Sequence, residues 1–223
     1  RQDRATGTMR ITAPLSFGTM HLSAAIREFL RRHPDVRIEL VLNDRFVDPI
    51  EEGFDVSIRI AKPLYSTSLI SKEIGPVHRV LCASPGYIRR RGEPTSPSQL
   101  SDHRCLHYGY QDSGSQWRLA GPDGEKSYPI QCAMWSNNGE ILRDAALHDQ
   151  GIALLPTVIV GEALQNGELR TVLNDFAASE ISIFALYPRH RHLSPKVRLF
   201  VDMLDECVGV QPYWDVAGES PAA

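Results

Sequence analysis

The stretch Phe46-Val47-Asp48-Pro49-Ile50-Glu51-Glu52-Gly53-Phe54-Asp55-Val56-Ser57-Ile58-Arg59-Ile60 decides the fold. Its first half reads as a short acidic helical turn over 48–52, stopped by Gly53. In its second half apolar residues alternate with Asp55, Ser57 and Arg59. That period of two predicts a strand over 54–60 with one apolar and one polar face. Such a strand would expose Arg59 at its C-terminal end, where α/β proteins meet small anions.

Working outward, residues 9–13 read as a strand ended by Pro14, and Ser16 is expected to cap the helix that follows. Leu22, Ala25, Ile26, Phe29 and Leu30 recur at helical spacing, and His33-Pro34 ends that helix. Residues 36–42 form the next strand. The order strand, helix, strand, helical turn, strand is a βαβαβ unit, which implies a parallel sheet with crossover connections. Further strands are predicted over 68–74 and 77–83, a short helix over 86–91, and short strands over 105–108, 116–119 and 130–135. A helix over 138–149 leads to an apolar strand over 151–155. Thr157 is expected to cap the next helix, which Asn166-Gly167 ends. A strand over 181–187 and a helix after Ser194-Pro195 complete the pattern.

The chain has 223 residues, 42% hydrophobic and 23% charged, ordinary values for a globular protein of one large or two small domains. A net charge of -3 gives no electrostatic case for gripping a nucleic acid backbone. No apolar run approaches the length of a membrane span. The start, residues 1–7, reads as a polar linker remnant rather than a signal peptide, and the tail, 210–223, as disordered. Cys82, Cys105, Cys132 and Cys207 form no Cys-x-x-Cys pair. Buried free thiols are the preferred reading, and two disulfides the alternative.

Several short segments together resemble the effector-binding domain of LysR-type transcriptional regulators. They are Gly7-Thr8-Met9-Arg10-Ile11-Thr12-Ala13-Pro14, Glu51 to Arg59, Cys82-Ala83-Ser84-Pro85-Gly86-Tyr87, Gly151 to Pro156 and Asn166-Gly167-Glu168-Leu169. The resemblance implies a type 2 periplasmic-binding-protein-like α/β fold, two Rossmann-like lobes joined by two crossover strands with a ligand cleft between them. Lobe I would be 8–83 plus 181–209, and lobe II 84–180. It also implies a small-molecule effector, a homodimer or homotetramer, DNA bound through an N-terminal winged helix-turn-helix not found in these residues, no membrane, and a cytoplasmic location. Ala61 and Ser66 depart from the family's usual Gly and Asp.

Three predicted helix starts follow strand ends, after Pro14, after Ser136 and after Pro156. Each offers backbone N–H groups and partial positive charge to an anion. With the resemblance, this gives an effector site of Pro14, Leu15, Ser16, Phe17, Arg59, Ala61, Ser84, Tyr108, Asn137, Asn138, Leu155, Pro156 and Thr157, with Phe17, Tyr108 and Leu155 as apolar walls. The expected ligand is a small organic anion. Arg59 is either a ligand contact or a partner of Asp55 or of a neighbouring carboxylate, and Ser84 is a ligand contact, a hinge residue at the lobe crossing, or only a turn residue before Pro85. His103-x-Cys105-x-His107 has zinc-binding atom types but no apparent fourth ligand, so no metal and no cofactor are assigned. No catalytic motif is present, so an enzyme is not expected. The alternative function is a solute-binding protein of a transporter, since one fold serves both roles.

Overall fold

The computed structural model describes residues 4–45, 47–109, 116–191, 194–209 and 212–215. Phe46 and the remaining termini lie outside the described residues. The chain divides into two units, residues 1–77 with 181–212 and residues 78–180 with 213–223.

In the first unit, β1 (Gly7–Ala13) pairs in parallel with β2 (Val36–Leu42) on one side and β3 (Val56–Ala61) on the other. Between β1 and β2 run α1 (Leu15–Phe17), a π-helical turn (Gly18–Leu22) and α2 (Ser23–Arg32). β12 (Ile181–Pro188) inserts antiparallel between β3 and β4 (Leu69–Val77), giving the order β2-β1-β3-β12-β4. α6 (Pro195–Val208) follows, with Val197, Phe200, Val201 and Leu204 buried as its periodicity predicts. Phe200 meets Phe29 of α2 edge-on, with ring centroids 5.4 Å apart. Leu30, expected inside, is exposed.

The deciding stretch forms the expected turn, with Glu52 N donating to Asp48 O at 3.1 Å and Asp48 Oδ1 accepting from Ile50 N; Gly53, at φ 71, then ends it. It departs from expectation in one way, because the polar face of β3 is not exposed: Asp55, Ser57 and Arg59 are 6%, 0% and 5% accessible. Four consecutive residues of β3, 56–59, are buried, so both its faces are covered, as in sheets whose crossover connections pack on both sides.

The second unit begins with β5 (Arg79–Ala83), α3 (Pro85–Arg91), a 3-10 turn (Pro97–Asp102) and β6 (Arg104–Tyr108). A hairpin of β7 (Gln116–Gly121) and β8 (Gly124–Pro129) stands apart as its own two-stranded sheet. Then come β9 (Gln131–Ser136), α4 (Gly139–Leu147), β10 (Ile152–Pro156), α5 (Thr157–Gln165) and β11 (Arg170–Thr171). The strand order is β11-β5-β10-β6-β9. β6, β9 and β10 run parallel, whereas β5 runs against β10. The core holds Leu81, Tyr87, Leu100, Trp117, Leu119 and Ile152 among others.

Two boundaries differ from the sequence reading. β5 is hydrogen-bonded into the second sheet, so the second unit starts at His78 rather than Ser84. Of the tail 210–223, residues 212–215 are described, and Tyr213–Asp215 form a 3-10 turn with Trp214 buried. Trp214 O accepts from Gln165 Nε2 at 3.2 Å, and the residue sits against Gly161 of α5. Burial of a large aromatic offsets the entropy of ordering this turn. Of residues 1–7, those described include Ala5, which is buried.

All four cysteines are free, with Cys82 and Cys105 buried and Cys132 and Cys207 exposed. Burial pushes the Cys82 and Cys105 thiols up to about 12. Thiol alkylation followed by mass spectrometry is therefore expected to label Cys132 and Cys207 in the native protein, and Cys82 and Cys105 only in denaturant. Phe200→Ala should lower the unfolding free energy by about 3–5 kcal/mol in urea titrations.

Candidate functional site

The first unit gathers its candidates at the C-terminal edge of β1, β2 and β3. Successive connections leave β1 and β3 toward opposite sides of β1, which makes this edge a topological switch point. Pro14 to Phe17 follow β1 directly, and Arg59 and Ala61 end β3. Arg59 Nη1 donates to the Asn43 carbonyl at 2.9 Å, and Asn43 N donates to Ala13 O. Asn43 thus ties the end of β1 to the Arg59 guanidinium. The structural alternative for Arg59, a partnership with Asp55, is not what organises Asp55. Asp55 Oδ2 accepts from Arg10 N at 2.8 Å, and its other oxygen faces Arg191 Nε at 3.4 Å.

Ser16 does not cap its helix. The residue at the cap position is Pro14, which offers no side-chain acceptor, and Ser16 lies inside α1, buried. The cap comes from elsewhere: Asp44 Oδ1 accepts from Leu15 N at 2.8 Å. A carboxylate of the protein therefore occupies part of the helix start expected to receive a ligand. Phe17 is 3% exposed and belongs to the core, while Leu15 is exposed. Thr12 and Ser57 face each other across the β1–β3 register. Both are fully buried, and neither hydroxyl has a hydrogen-bond partner among the described residues.

In the second unit, Tyr108, Asn137, Asn138, Leu155, Pro156 and Thr157 share the C-terminal edge of β6, β9 and β10. Asn138 caps α4, its Oδ1 accepting from Ile141 N, and its own N donates to Ser136 Oγ. Asn137 is exposed. Leu155 is 0% exposed and presents no wall to a ligand, because it packs toward Gly139 at the start of α4. Thr157 is the first residue of α5 rather than its cap. Its N donates to His78 O, and its buried hydroxyl has no partner among the described residues. Arg79 is registered against Pro156 at this edge. Its Nη2 donates to Ser179 O and Oγ, its Nε is buried without a partner among the described residues, and burial lowers its pKa.

Ser84 does not join this group. Because β5 runs against β10, the end of β5 lies at the opposite edge of the sheet. There Ser84 caps α3, accepting from Tyr87 N and donating to Asp149 Oδ1 at 2.5 Å. Nor do the three zinc-type side chains act together. His103 Nδ1 is bonded to Tyr87 OH, His107 Nδ1 accepts from Trp117 Nε1, and the Cys105 thiol donates to Leu100 O.

With this geometry established, comparison with known proteins is decisive. The family described as LysR substrate binding domain matches residues 2–208. This chain belongs to that family. The LysR-type domain has the type 2 periplasmic-binding-protein-like fold, with two α/β lobes corresponding to the two units. An uncharacterized HTH-type transcriptional regulator of Haemophilus influenzae is 32% identical over 86% of this chain and 66% of its own length. The chain thus spans just under two thirds of that relative. The full-length Vibrio cholerae virulence activator AphB is 30% identical, with TM-score 0.78 over 92% of this chain and 69% of its own. The regulatory domain of CrgA from Neisseria meningitidis is 25% identical, with TM-score 0.81 over 92% of this chain and all of its own. Relatives named as transcriptional regulators do not favour the transporter reading. Among the described residues, no helix is long and apolar enough to cross a membrane.

In this LysR-type domain, sequence reasoning missed Thr12, Asn43, Asp44, His78 and Arg79. Ser57 was placed on the same face as Arg59 but given no role. Thr12 was recoverable from the period of β1, whereas nothing local marks Asp44 as the partner of Leu15. Asp44→Ala is expected to cost about 1 kcal/mol in chemical denaturation, the usual worth of an N-cap. Ser16→Ala, which removes no cap, should cost less in the same experiment.

Proposed function

We propose that this chain is the effector-sensing and oligomerisation domain of a bacterial LysR-type DNA-binding transcriptional regulator, and that its effector is a small organic anion. The observation that carries this reading is the group of buried hydroxyls of Thr12, Ser57 and Thr157, which find no hydrogen-bond partner among the described residues. Burying a hydroxyl unsatisfied costs about 1–3 kcal/mol, so three at strand ends call for a reason. An oxygen-rich ligand supplies one. Arg59 and Arg79 supply positive charge at the same edges, and Pro14, Leu15, Ala61, Tyr108, Asn137 and Pro156 complete the proposed surroundings. The helix starts contribute less than expected, because Asp44, Asn138 and the His78 carbonyl already take N–H groups there.

Regulation requires the effector to bind two arrangements of the domain with different affinity. The output passes through a homodimer or homotetramer to DNA-binding domains N-terminal to this one, in the cytoplasm. The proposal assigns the chain no reaction and no cofactor. For subunit pairing, β2 is an edge strand with Val41 exposed, and α2 exposes Leu30. The second unit offers another edge, β9, with Trp135 exposed, and α4 exposes Ile141. An antiparallel pair would set the first surface of one copy on the second surface of the other.

A thermal-shift screen against carboxylates, sulfonates and aromatic acids tests the ligand class. A hit at 100 times its dissociation constant should add about 2.7 kcal/mol of stability. With a hit in hand, Thr12→Val is expected to leave the free domain as stable or stabilise it by up to about 1 kcal/mol, yet to weaken the ligand about tenfold. Arg59→Gln should weaken it at least as much. If Thr12→Val destabilises the free domain and leaves affinity untouched, the hydroxyl is structural and the reading fails. For oligomerisation, Val41→Glu is expected to lower the mass measured by light scattering from that of a dimer or tetramer toward a monomer.

A further inference from the structure

The edge of the second sheet where Ser84 lies carries a different cluster. A cavity of about 320 Å³ is lined by Tyr87, Arg90, Arg91, Arg104, Asp149 and Gln150. Arg90 and Arg91 come from the last turn of α3, and Arg104 from the first position of β6. The lining has one carboxylate, and it is already engaged. Asp149 Oδ1 accepts from Ser84 Oγ at 2.5 Å and Oδ2 from Arg90 Nη2 at 2.6 Å. Asp149 is held in the left-handed region, at φ 64. A Cβ on Gly86 would stand 2.5 Å from its Oδ1, so glycine permits the approach.

Three guanidinium groups against one carboxylate leave an excess of two positive charges in the lining. Among the described residues neither Arg91 nor Arg104 has an ion-pair partner. Arg104 Nε donates to Gln150 O at 2.9 Å, which anchors the group while leaving its terminal nitrogens. Arginines at a helix C-terminus stabilise the helix dipole, which accounts for part of the run in α3. That effect does not explain why Arg104, from another element, joins them around a cavity. Burial raises the pKa of the Tyr87 phenol, and the charges of Arg91 and Arg104 partly oppose that rise. Burial and then the charge of Arg91 lower the pKa of His103, against the neighbouring Asp102.

We propose that this groove binds a small phosphate dianion, either free or carried as a phosphomonoester. Guanidinium forks match phosphate oxygens in pairs, and a dianion compensates the excess charge that a monocarboxylate would halve. The cavity leaves room beside the phosphate for a small ester group. The site lies wholly within residues 78–180 and does not depend on the effector reading.

The test is titration of the chain with inorganic phosphate at constant ionic strength, chloride balancing, followed by backbone amide NMR. Saturable shifts are expected at Tyr87, Arg91, Arg104 and Gln150. Arg91→Gln, which removes no hydrogen bond among the described residues, should weaken binding about tenfold, and Arg91→Gln with Arg104→Gln further. Arg59→Gln should leave it unchanged. Glycerol phosphate is the second arm: tighter binding identifies a phosphomonoester as the natural ligand, equal binding the free ion. Shifts that rise linearly without saturating, or that persist in Arg91→Gln, overturn the proposal.

Discussion

Parallel pairing of β1 with a neighbour on each side is the constraint from which the rest of the first unit follows. Parallel strands cannot be joined by tight turns, so each connection must cross over the sheet. Chain ends and helix starts are thereby collected at one edge. Asn43 can reach both Ala13 and Arg59, and Asp44 can reach Leu15, only because β2 and β3 deliver their ends beside that of β1. The same pairing buries β3 on both faces, which turns Asp55, Ser57 and Arg59 from surface groups into interior ones.

Interior polar groups divide into two kinds here. Asp55 is satisfied from within, by Arg10 N and by the charge of Arg191. Thr12, Ser57 and Thr157 have hydroxyls that the described residues do not satisfy. A fold that needed only stability would place Val or Ala at these positions. The second unit repeats the division along one sheet: an edge with an unsatisfied hydroxyl at Thr157, and an opposite edge where Ser84, Asp149 and Arg90 satisfy one another.

Periodicity made much of this legible. The faces of α2 and α6, the strands around β1 to β3, and the family resemblance all rest on patterns within short segments. Burial of the polar face of β3 was not legible, because a period of two reports alternation and not what covers each face. Ser84 failed for a related reason. It follows a strand and precedes a helix, as Pro14 and Pro156 do, but β5 runs the other way, and strand direction is a property of pairing. The cap of Leu15 comes from a residue 29 positions away, beyond any local signal. β8 and β11 were also missed, being respectively mostly polar and two residues long.

The place of β12 in the first sheet bears on how the protein is made. β3 and β4 are not neighbours; each pairs with β12, which is translated only after all of residues 78–180. During synthesis the first sheet must wait with β3 and β4 unjoined, while most of the second unit is already complete. The first sheet therefore cannot be completed until residues 181–188 have been made. Until then, β3 shows an unpaired and largely apolar edge to the cell, the kind of surface that chaperones recognise and aggregates grow from.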